Sequence, residues 1–201
     1  MNYRIIRKKI NRYRGFIWKL INILRFKLWA VEFGKSLCIH GYPYLKLAPE
    51  AKLTIGDNFY MSSGYGINPL SSNRRSVIHA TDGASIKIGN NVGISSGVLW
   101  SAQEIRIGDN VKLGGNCIVI DTDAHSMDYI VRRDRFIDKG NSSPIVIEDD
   151  VLVGANCIIL KGVTIGARSV VGAGSIVTKS IPADSIAAGN PARVIKTITR
   201  K

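Results

Sequence analysis

The sequence predicts an all-β solenoid, and three observations support this fold class. Aliphatic residues recur at a spacing of six without a slip, and those that keep it are Ile147, Val153, Ile159, Ile165, Val171 and Val177. Glycine directly follows several of them. The same aliphatic–glycine pairs occur earlier, at Ile55, Ile88 and Ile107, each followed by Asp or Asn. A period of six fits neither an amphipathic helix nor an alternating strand. It fits a chain that turns a corner at each hexad and points one aliphatic side chain inward.

Each hexad is expected to supply one short strand and one turn. Three hexads would close a triangular coil of about eighteen residues, and successive coils would stack and pair through their backbones. Gly, Asn and Asp near the aliphatic positions suit the tight or left-handed backbone of a corner. An ordinary sandwich with glycine-rich turns is the alternative, but it does not explain six consecutive positions in phase.

Length and cysteine content narrow the class of protein. The 201 residues are enough for one main domain with a buried core. The three cysteines, Cys38, Cys117 and Cys157, are odd in number and lack the spacing of a metal site. Cys117 and Cys157 occupy the same place in their hexads and are expected to be small apolar fillers. This usage favours a reducing cytoplasm.

The net charge of +13 is concentrated in an N-terminal arm, residues 1–34. Residues 1–35 hold ten Lys or Arg and one acid, Glu32. Apolar residues in this arm recur at steps of three and four, which predicts an amphipathic helix. Its uncharged runs are too short to span a bilayer. Three roles remain open: attachment to an anionic membrane surface, packing on the solenoid or on neighbouring subunits, and nucleic-acid binding. The last is disfavoured because no groove-reading motif accompanies the charge.

The register breaks once, over residues 121–143, and resumes at residue 144. A solenoid accommodates such an insertion as a loop extruded from one corner, and loops of this kind commonly carry function. His125 lies near the start of this loop. A neutral imidazole can take the proton of a hydroxyl as its oxygen attacks a carbonyl, so His125 is the candidate general base.

Residues 151–166, 171–179 and 188–195 resemble the hexapeptide-repeat acyltransferases, and the resemblance covers residues 50–195. It is strongest to the sugar and polysaccharide O-acetyltransferases, a branch that includes maltose, galactoside and xenobiotic acetyltransferases. The resemblance implies a left-handed parallel β-helix. We therefore expect a basic helical arm at 1–34, the β-helix at 35–180 with its extruded loop, and a C-terminal tail at 181–201.

The resemblance also implies the chemistry. Such enzymes transfer an acetyl group directly from acetyl-CoA to a hydroxyl, without a covalent enzyme intermediate, and a histidine in a matching loop is the base. His125 matches that histidine, and Asp123 is our expectation for the residue that orients it, although Asp121, Asp128 or a backbone carbonyl would also serve. The family builds its active sites between the subunits of a homotrimer, which we expect here.

Two sets of binding residues follow from the same resemblance. The positions that match the acetyl-CoA site are Gly154, Ala155, Ala173, Thr178, Lys179 and Arg193. Candidate contacts of the carbohydrate acceptor are Ser95, Ser96, Trp100 and Asp121. Ala155 would offer its backbone amide to the oxyanion. Relatives often have Trp at the place of Leu152 and Ser at the place of Ala155. The backbone amide at position 155 is present with either Ser or Ala, whereas the loss of Trp at position 152 removes one wall of the pocket.

Other functions remain as alternatives. Within the same fold, a serine or other small-molecule O-acetyltransferase is the nearest. A non-enzymatic β-helix scaffold would not need His125. A zinc carbonic anhydrase would need three histidine ligands, and His40, His79 and His125 are too scattered, so no metal is expected. The expected location is cytoplasmic, with attachment of the arm to the inner face of the cell membrane as one possibility.

Overall fold

The computed structural model describes residues 3–64, 66–68, 70 and 74–199, with side chains from Tyr13 onward. In this part of the chain, one α-helix, α1 (Tyr3–Leu28), precedes twenty short strands, numbered β1 to β20 in chain order. The strands form three sheets, A, B and C. Sheet A contains β1 (Glu32–Phe33), β4 (Lys52–Ile55), β7 (Ser85–Ile88), β10 (Glu104–Ile107), β13 (Ile145–Ile147) and β16 (Thr164–Ile165).

Sheets B and C complete each coil. Sheet B contains β2 (Cys38–Gly41), β5 (Tyr60–Ser63), β8 (Gly93–Ser95), β11 (Lys112–Leu113), β14 (Leu152–Val153), β17 (Val170–Val171), β19 (Ser185–Gly189) and β20 (Ala192–Thr197). Sheet C contains β3 (Tyr44–Leu47), β6 (Val77–Ala80), β9 (Val98–Ser101), β12 (Ile118–Ile120), β15 (Ile158–Leu160) and β18 (Ile176–Val177). From β1 to β15, each strand pairs in parallel with the strand three places later. The predicted solenoid, a left-handed parallel β-helix, is confirmed.

The six-residue register runs around the three sheets in turn. Ile147 lies on sheet A, Val153 on sheet B and Ile159 on sheet C. Each side chain points inward and is buried. In sheet A the inward residues stack in one ladder, which runs through Ile55, Ile88, Ile107, Ile147 and Ile165. Burying a side chain of this size contributes about 1.5–3 kcal/mol, so the ladders supply the main stabilising term of the fold.

The corner between sheets A and B shows why Asn and Asp follow the repeat. Asn58, Asn91, Asn110 and Asp150 have φ of 55° to 60°, in the left-handed region. Asn and Asp enter this region more readily than most residues because their short polar side chains can bond locally. Asn58 donates to Asn91 over 3.0 Å, Asn91 donates to Asn110 over 3.0 Å, and Asn110 donates to Asp150 over 3.0 Å. This ladder ties the coils together at the corner.

The helix predicted for the arm covers the N-terminal end of the solenoid. Phe26 is buried in the core, and Asn22 is buried as well. The Asn22 side-chain amide donates to the carbonyl of Gly41 over 2.8 Å and to that of Ile39 over 3.3 Å, where the first coil has no coil before it. Within the described residues, no helix combines the length and the apolar character needed to cross a bilayer.

The C-terminal residues predicted as a tail extend sheet B. β19 pairs in parallel with β17, so Ala187 continues the inward ladder beneath Val171. β20 then folds back antiparallel to β19. The repeat therefore contributes one more strand after residue 180 before the chain reverses.

The outer faces of the sheets differ in chemistry. On sheet C, the outward residues are mainly apolar and half-buried: Val77, Val98, Trp100, Ile118, Ile120, Ile158, Leu160 and Ile176. On sheet A, they are mainly polar or charged: Lys52, Thr54, Ser85, Lys87, Glu104, Arg106 and Thr164. Sheet C has two edges. The B–C edge is the corner before its strands, and the C–A edge is the corner after them.

Candidate active site

The excursion at residues 121–143 leaves the solenoid at the C–A edge, between β12 and β13. Its two ends meet in a narrow neck, where Thr122 and Ser142 form an isolated antiparallel bridge. The Asp123 amide donates to the Asn141 carbonyl over 3.0 Å, and the Ser143 amide donates to the Asp121 carbonyl over 2.9 Å. The predicted extruded loop is thus present, with a closed neck and a short 3₁₀ helix at Val131–Arg133.

Asp121 does not serve as the expected acceptor contact, because its side chain is fully buried. Its carboxylate accepts hydrogen bonds from the Ser101 hydroxyl (2.7 Å), the Ala102 amide (2.6 Å) and the Gln103 amide (3.0 Å). These bonds satisfy a buried charge that would otherwise be costly. Asp121 therefore ties the start of the loop to the corner of the preceding coil, at residues 101–103.

His125 is paired with Asp138, which lies on the returning half of the loop. Nδ1 of His125 is 2.6 Å from Oδ2 of Asp138. The Ser126 amide donates to the other carboxylate oxygen over 2.7 Å. The Asp138 side chain is 9% exposed, whereas the His125 side chain is 69% exposed. The Asp138 carboxylate, which holds the ring, is therefore largely buried, whereas the His125 imidazole is accessible to solvent.

The pair fixes the protonation pattern of the ring. The Ser126 amide and the His125 ring hold the pKa of Asp138 below its ordinary value, so this carboxyl is ionised at neutral pH. A carboxylate has no proton to donate, so Nδ1 of His125 must donate to it. Neutral imidazole carries one ring proton, and Nε2 is then the unprotonated nitrogen. His125 thus presents a proton acceptor away from Asp138.

Asp123, the residue expected to orient His125, has a different partner. Its Oδ2 accepts from Nζ of Lys161 over 2.7 Å. Lys161 follows β15 in the next coil, so this ion pair ties the neck of the loop to the solenoid. Asp138 takes the orienting position because the loop folds back on itself. Gly140 lies so close to the Ala124 and His125 backbones that an added Cβ would lie 2.6 Å from the nearest amide nitrogen.

The backbone amide of Ala155 lies at the B–C edge, in a corner where Gly114 and Gly154 have no room for a side chain. A Cβ on Gly114 would lie 2.6 Å from the Ala155 nitrogen, and a Cβ on Gly154 would lie 2.5 Å from the Ala173 nitrogen. Gly154 and Ala155 of one coil are therefore stacked between Gly114 of the preceding coil and Ala173 of the next. In the described chain, the backbone hydrogen bonds do not use the Ala155 amide as a donor, so it is available to a ligand.

His125 and Ala155 lie on opposite edges of sheet C within one chain. β12 and β15 are neighbours in register, with Ile118 opposite Ile158. Ala155 comes before the start of β15, whereas His125 comes after the end of β12. A single subunit therefore separates the candidate base from the candidate oxyanion donor by the width of the sheet.

The remaining candidate acetyl-CoA residues divide between the same edges. Thr178 and Lys179 follow β18 at the C–A edge and are exposed. Arg193 lies on β20 opposite Ala188. An added Cβ on Gly172 would lie 2.9 Å from the Ala188 Cβ, which places this pair beside the B–C corner. Arg193 is exposed, with one guanidinium nitrogen donating to the Ala192 carbonyl over 2.9 Å.

The candidate acceptor residues differ in accessibility. Ser96 is buried in the corner with φ of 49°, which does not fit the expected contact. Ser95 is half-buried at the end of β8. Trp100 is half-buried on the outer face of sheet C and stacks on His79, with ring centroids 5.4 Å apart and planes 4° apart. The Trp100 indole N–H has no hydrogen-bond partner among the described residues. The sequence did not predict that His79 stacks on Trp100, although the hexad register aligns the two residues.

Two further features lie away from these edges. The described residues contain no group of three or more His, Cys, Asp or Glu side chains placed to hold a metal ion. A shallow groove of about 480 Å³ runs over sheet A, between Lys87, Arg106 and Glu148. It contains none of the candidate site residues, so we do not associate it with the chemistry at His125.

Comparison with known proteins supports the family. A family model for the hexapeptide repeat of succinyl-transferase matches residues 104–120 and 144–179. The chain is 53% identical over 60 residues to 2,3,4,5-tetrahydropyridine-2,6-dicarboxylate N-acetyltransferase from Staphylococcus aureus. That match covers 30% of this chain and 25% of the relative, so the chain spans about a quarter of the curated relatives that it matches.

Solved structures extend the similarity over most of the chain. A hexapeptide-repeat-containing acetyltransferase from Vibrio cholerae is 30% identical, with a TM-score of 0.52, over 89% of this chain and 80% of that one. It has also been solved with acetyl-CoA. A galactoside acetyltransferase in complex with coenzyme A is 29% identical, with a TM-score of 0.50, over 83% of this chain and 65% of that one. With its stacked hexads and this extent of similarity, the chain belongs to the hexapeptide-repeat acetyltransferases.

Proposed function

We propose that this protein is an O-acetyltransferase that moves the acetyl group of acetyl-CoA to a hydroxyl of a sugar or polysaccharide precursor. The observation that carries the proposal is the His125–Asp138 pair, whose 2.6 Å contact leaves Nε2 free at the mouth of the extruded loop. A hydroxyl is a poor nucleophile near neutral pH, so acetyl transfer to it needs a base that removes its proton.

The proposed reaction is a direct transfer within a ternary complex. Nε2 of His125 takes the proton of the acceptor hydroxyl as its oxygen bonds to the thioester carbonyl carbon. The Ala155 amide donates to the oxyanion that forms on the carbonyl oxygen. When the carbon–sulfur bond breaks, the imidazolium returns its proton to the departing thiolate of coenzyme A. The acetyl ester and free coenzyme A are the products, and His125 ends neutral.

We propose that these sites form between the subunits of a homotrimer. Within one chain, His125 and Ala155 lie on opposite edges of sheet C, so the base of one subunit needs the amide of a neighbour. The outer face of sheet C is apolar, as expected of a face buried in an oligomer. The loop also exposes large apolar side chains that a neighbour would cover: Met127, Tyr129, Ile130, Phe136 and Ile137.

The acetyl-CoA site would then draw on both edges. Gly154, Ala155 and Ala173 have at most a methyl side chain at the B–C corner, so the thioester arm could come close to the Ala155 amide from the outside of the coils. Lys179 and Arg193 are exposed cations suited to the phosphates of the cofactor. Thr178, beside Lys179, adds a hydroxyl at the C–A edge.

The acceptor would contact Trp100, beside which the loop leaves the solenoid. The stacked pair of Trp100 and His79 presents a half-buried aromatic surface on sheet C, which suits the apolar face of a sugar ring. The galactoside acetyltransferase among the similar structures supports a carbohydrate acceptor. An amine acceptor is the second candidate, because the Staphylococcus aureus relative is an N-acetyltransferase.

The setting that we propose is the cytoplasm, at the inner face of the cell membrane. The three cysteines are free, and two of them are buried fillers of the repeat. The basic N-terminal helix would bring the enzyme to acceptors carried on membrane lipids.

The test is release of coenzyme A from acetyl-CoA with a panel of sugar hydroxyl and amino-sugar acceptors. His125→Ala is expected to reduce turnover by about a hundredfold to ten-thousandfold, as for loss of a general base. His40→Ala is the matched control, since His40 lies on β2 in the first coil, three coils before the strand that leads into the His125 loop, and it should keep turnover. Near-normal turnover of His125→Ala would contradict the proposed base. Transfer to amines alone would replace the O-acetyl assignment by the N-acetyl one.

A further inference from the structure

The N-terminal helix carries a stripe of large apolar side chains that face solvent. Its members are spaced by three and four residues along α1: Tyr13, Phe16, Ile17, Leu20, Ile21, Leu24 and Leu28. Their exposure ranges from 37% to 76%. Single exposed apolar residues are normal on a protein surface, but a contiguous stripe of seven marks an interaction site. We call this set the exposed stripe.

The exposed stripe is not needed to hold the helix on the solenoid. The opposite face of α1 makes that contact, through buried Phe26 and Asn22. Gly15 lies on the same face, where an added Cβ would be 3.1 Å from the His40 ring. The helix is therefore anchored through one face and presents the other outward.

The charges around the exposed stripe indicate what kind of surface it can bind. Residues 3–28 contain nine Lys or Arg and no acid. Arg14 and Lys19 are exposed on the two sides of the stripe. A second copy of the helix would bring the same positive charge into contact, and like charges at close range oppose pairing. A surface of negative phosphates would instead attract it.

We infer that α1 is a docking helix for an anionic phospholipid bilayer, on which it lies flat with the exposed stripe in the headgroup–acyl boundary. Basic amphipathic helices with aromatic residues bind in this way. Tyr13, near one end of the stripe, and Trp29, just after the helix, are exposed and suited to the interfacial layer. This inference deepens the membrane setting of the proposed function, but its physical basis is independent of acetyl transfer.

The test is co-sedimentation of the full chain with phosphatidylcholine vesicles, with and without phosphatidylglycerol, at low and high salt. The wild-type protein is expected to bind the phosphatidylglycerol vesicles, less so at high salt, because the attraction between basic residues and anionic lipid is screened. Failure to bind these vesicles at low salt would overturn the inference.

An apolar substitution tests the exposed stripe itself. Leu24→Glu, at a position 60% exposed, is expected to weaken binding at least about tenfold, because it removes an apolar side chain that the bilayer would bury and adds a negative charge. Ile195→Glu is the matched control at a position 66% exposed on β20, at the other end of the solenoid, and should bind like wild type. Equal losses in both variants would overturn the assignment to α1.

A charge substitution tests the flanks without touching apolar packing. The double variant Arg14→Gln, Lys19→Gln is expected to reduce vesicle binding by about tenfold or more, since each basic residue near an anionic surface contributes substantially. The double variant Lys52→Gln, Lys196→Gln removes the same charge elsewhere and should bind normally. Because all four positions are exposed, these variants test the inference even if Leu24→Glu fails to fold.

Two further measurements separate this inference from its alternatives. If Leu24→Glu dissociates the oligomer in sedimentation velocity and still binds vesicles, the exposed stripe is a contact between subunits and the inference fails. His125→Ala should bind vesicles like wild type, so loss of turnover and loss of docking are scored separately. Turnover on a soluble acceptor should survive in the Arg14, Lys19 double variant.

Discussion

Sheets A and C are built from the same hexads and bury the same kinds of side chain, yet their outer faces differ. Sheet C turns a mainly apolar face outward, and the candidate base and oxyanion donor lie at its two edges. Sheet A turns a mainly charged face outward, and its groove contains none of the candidate residues. The inward positions therefore determine the fold, whereas the outward positions distinguish the face proposed for assembly and chemistry from the face left to solvent.

The largest effect should come from placing a charge on the outer face of sheet C. Ile158→Glu is expected to convert the proposed trimer to monomers, because an unpaired charge cannot be buried in an apolar interface. Turnover should fall at least about a thousandfold, since the monomer holds His125 and Ala155 apart. Size and turnover are measured on the same preparation, after circular dichroism has shown that the solenoid is folded.

Val146→Glu on sheet A is the matched control, because Val146 is also outward and half-buried and directly precedes the inward residue of its hexad, as Ile158 does. It should leave size and turnover unchanged. If this variant is also monomeric, or if Ile158→Glu stays assembled and active, the difference between the two faces does not determine assembly.

The two edges of sheet C can be tested by mixing inactive subunits. Ala155→Pro removes the candidate oxyanion donor and is expected to lower turnover about a hundredfold to a thousandfold. The corner should tolerate proline, because the next residue, Asn156, has φ of 59°, as in a turn that favours proline at the preceding position.

When Ala155→Pro and His125→Ala subunits are unfolded and refolded together in equal amounts, about a quarter of the sites in a random trimer should pair an intact His125 with an intact Ala155. Turnover should recover to about that fraction of wild type. If each site belonged to one subunit, every mixed trimer would remain inactive, and the proposal of shared sites would be wrong.

The orienting role of Asp138 predicts a smaller loss. The Ser126 amide and Nδ1 of His125 donate to different oxygens of Asp138, and asparagine would place its NH2 group against one of these donors. Asp138→Asn should therefore disturb the ring tautomer. We expect kcat to fall by about tenfold to a thousandfold with little change in KM for acetyl-CoA. Asp138→Glu, which keeps the carboxylate, should recover part of the loss.

Asp123→Asn is the comparison within the same loop. It breaks the ion pair with Lys161 at the neck, so it should lower thermal stability more than kcat. A loss of kcat equal to that of Asp138→Asn would return the orienting role to Asp123, the residue that the sequence alone favoured.

The sequence was informative where the repeat holds and less so where it breaks. The spacing of Ile147, Val153 and Ile159 predicted three inward ladders, because a strict period translates directly into stacked coils. The same period located the extruded loop and His125. It did not predict Asp138, which lies thirteen residues further along a non-periodic segment, where pairing depends on how the loop folds back.

Contacts between coils also could not be predicted from the sequence, for a different reason. Asp121 is buried because donors of the preceding coil, at Ser101, Ala102 and Gln103, bond to its carboxylate. The residues next to Asp121 in the sequence do not indicate these partners. The apolar face of sheet C is spread over five strands. Its residues become neighbours only when the register between coils is known, because each hexad alone shows one or two apolar side chains beside the inward one.

The smallest predicted effect concerns the charged face of sheet A and an acidic limit of stability. Glu104 accepts from Arg106 over 2.8 Å and from Lys87 over 3.0 Å, and the Arg106 hydrogen bond and these charges lower its pKa from 4.5 to about 2. A carboxyl with a depressed pKa stabilises the fold fully above its ordinary pKa, and this contribution is lost as pH falls from about 4.5 towards 2. Because the ion pairs are at the surface, Glu104→Gln should lower the free energy of unfolding at neutral pH by about 1 kcal/mol or less. The difference from wild type should shrink as the pH approaches 2 in urea titrations.

Glu50→Gln, in an exposed turn, is the control: it removes a carboxylate that is not part of this network, and its difference from wild type should not shrink in this way. Assembly and turnover should stay at wild-type values in both variants, because sheet A supplies neither the proposed interface nor the site, and a change in either property would assign this face a role that its charges do not suggest.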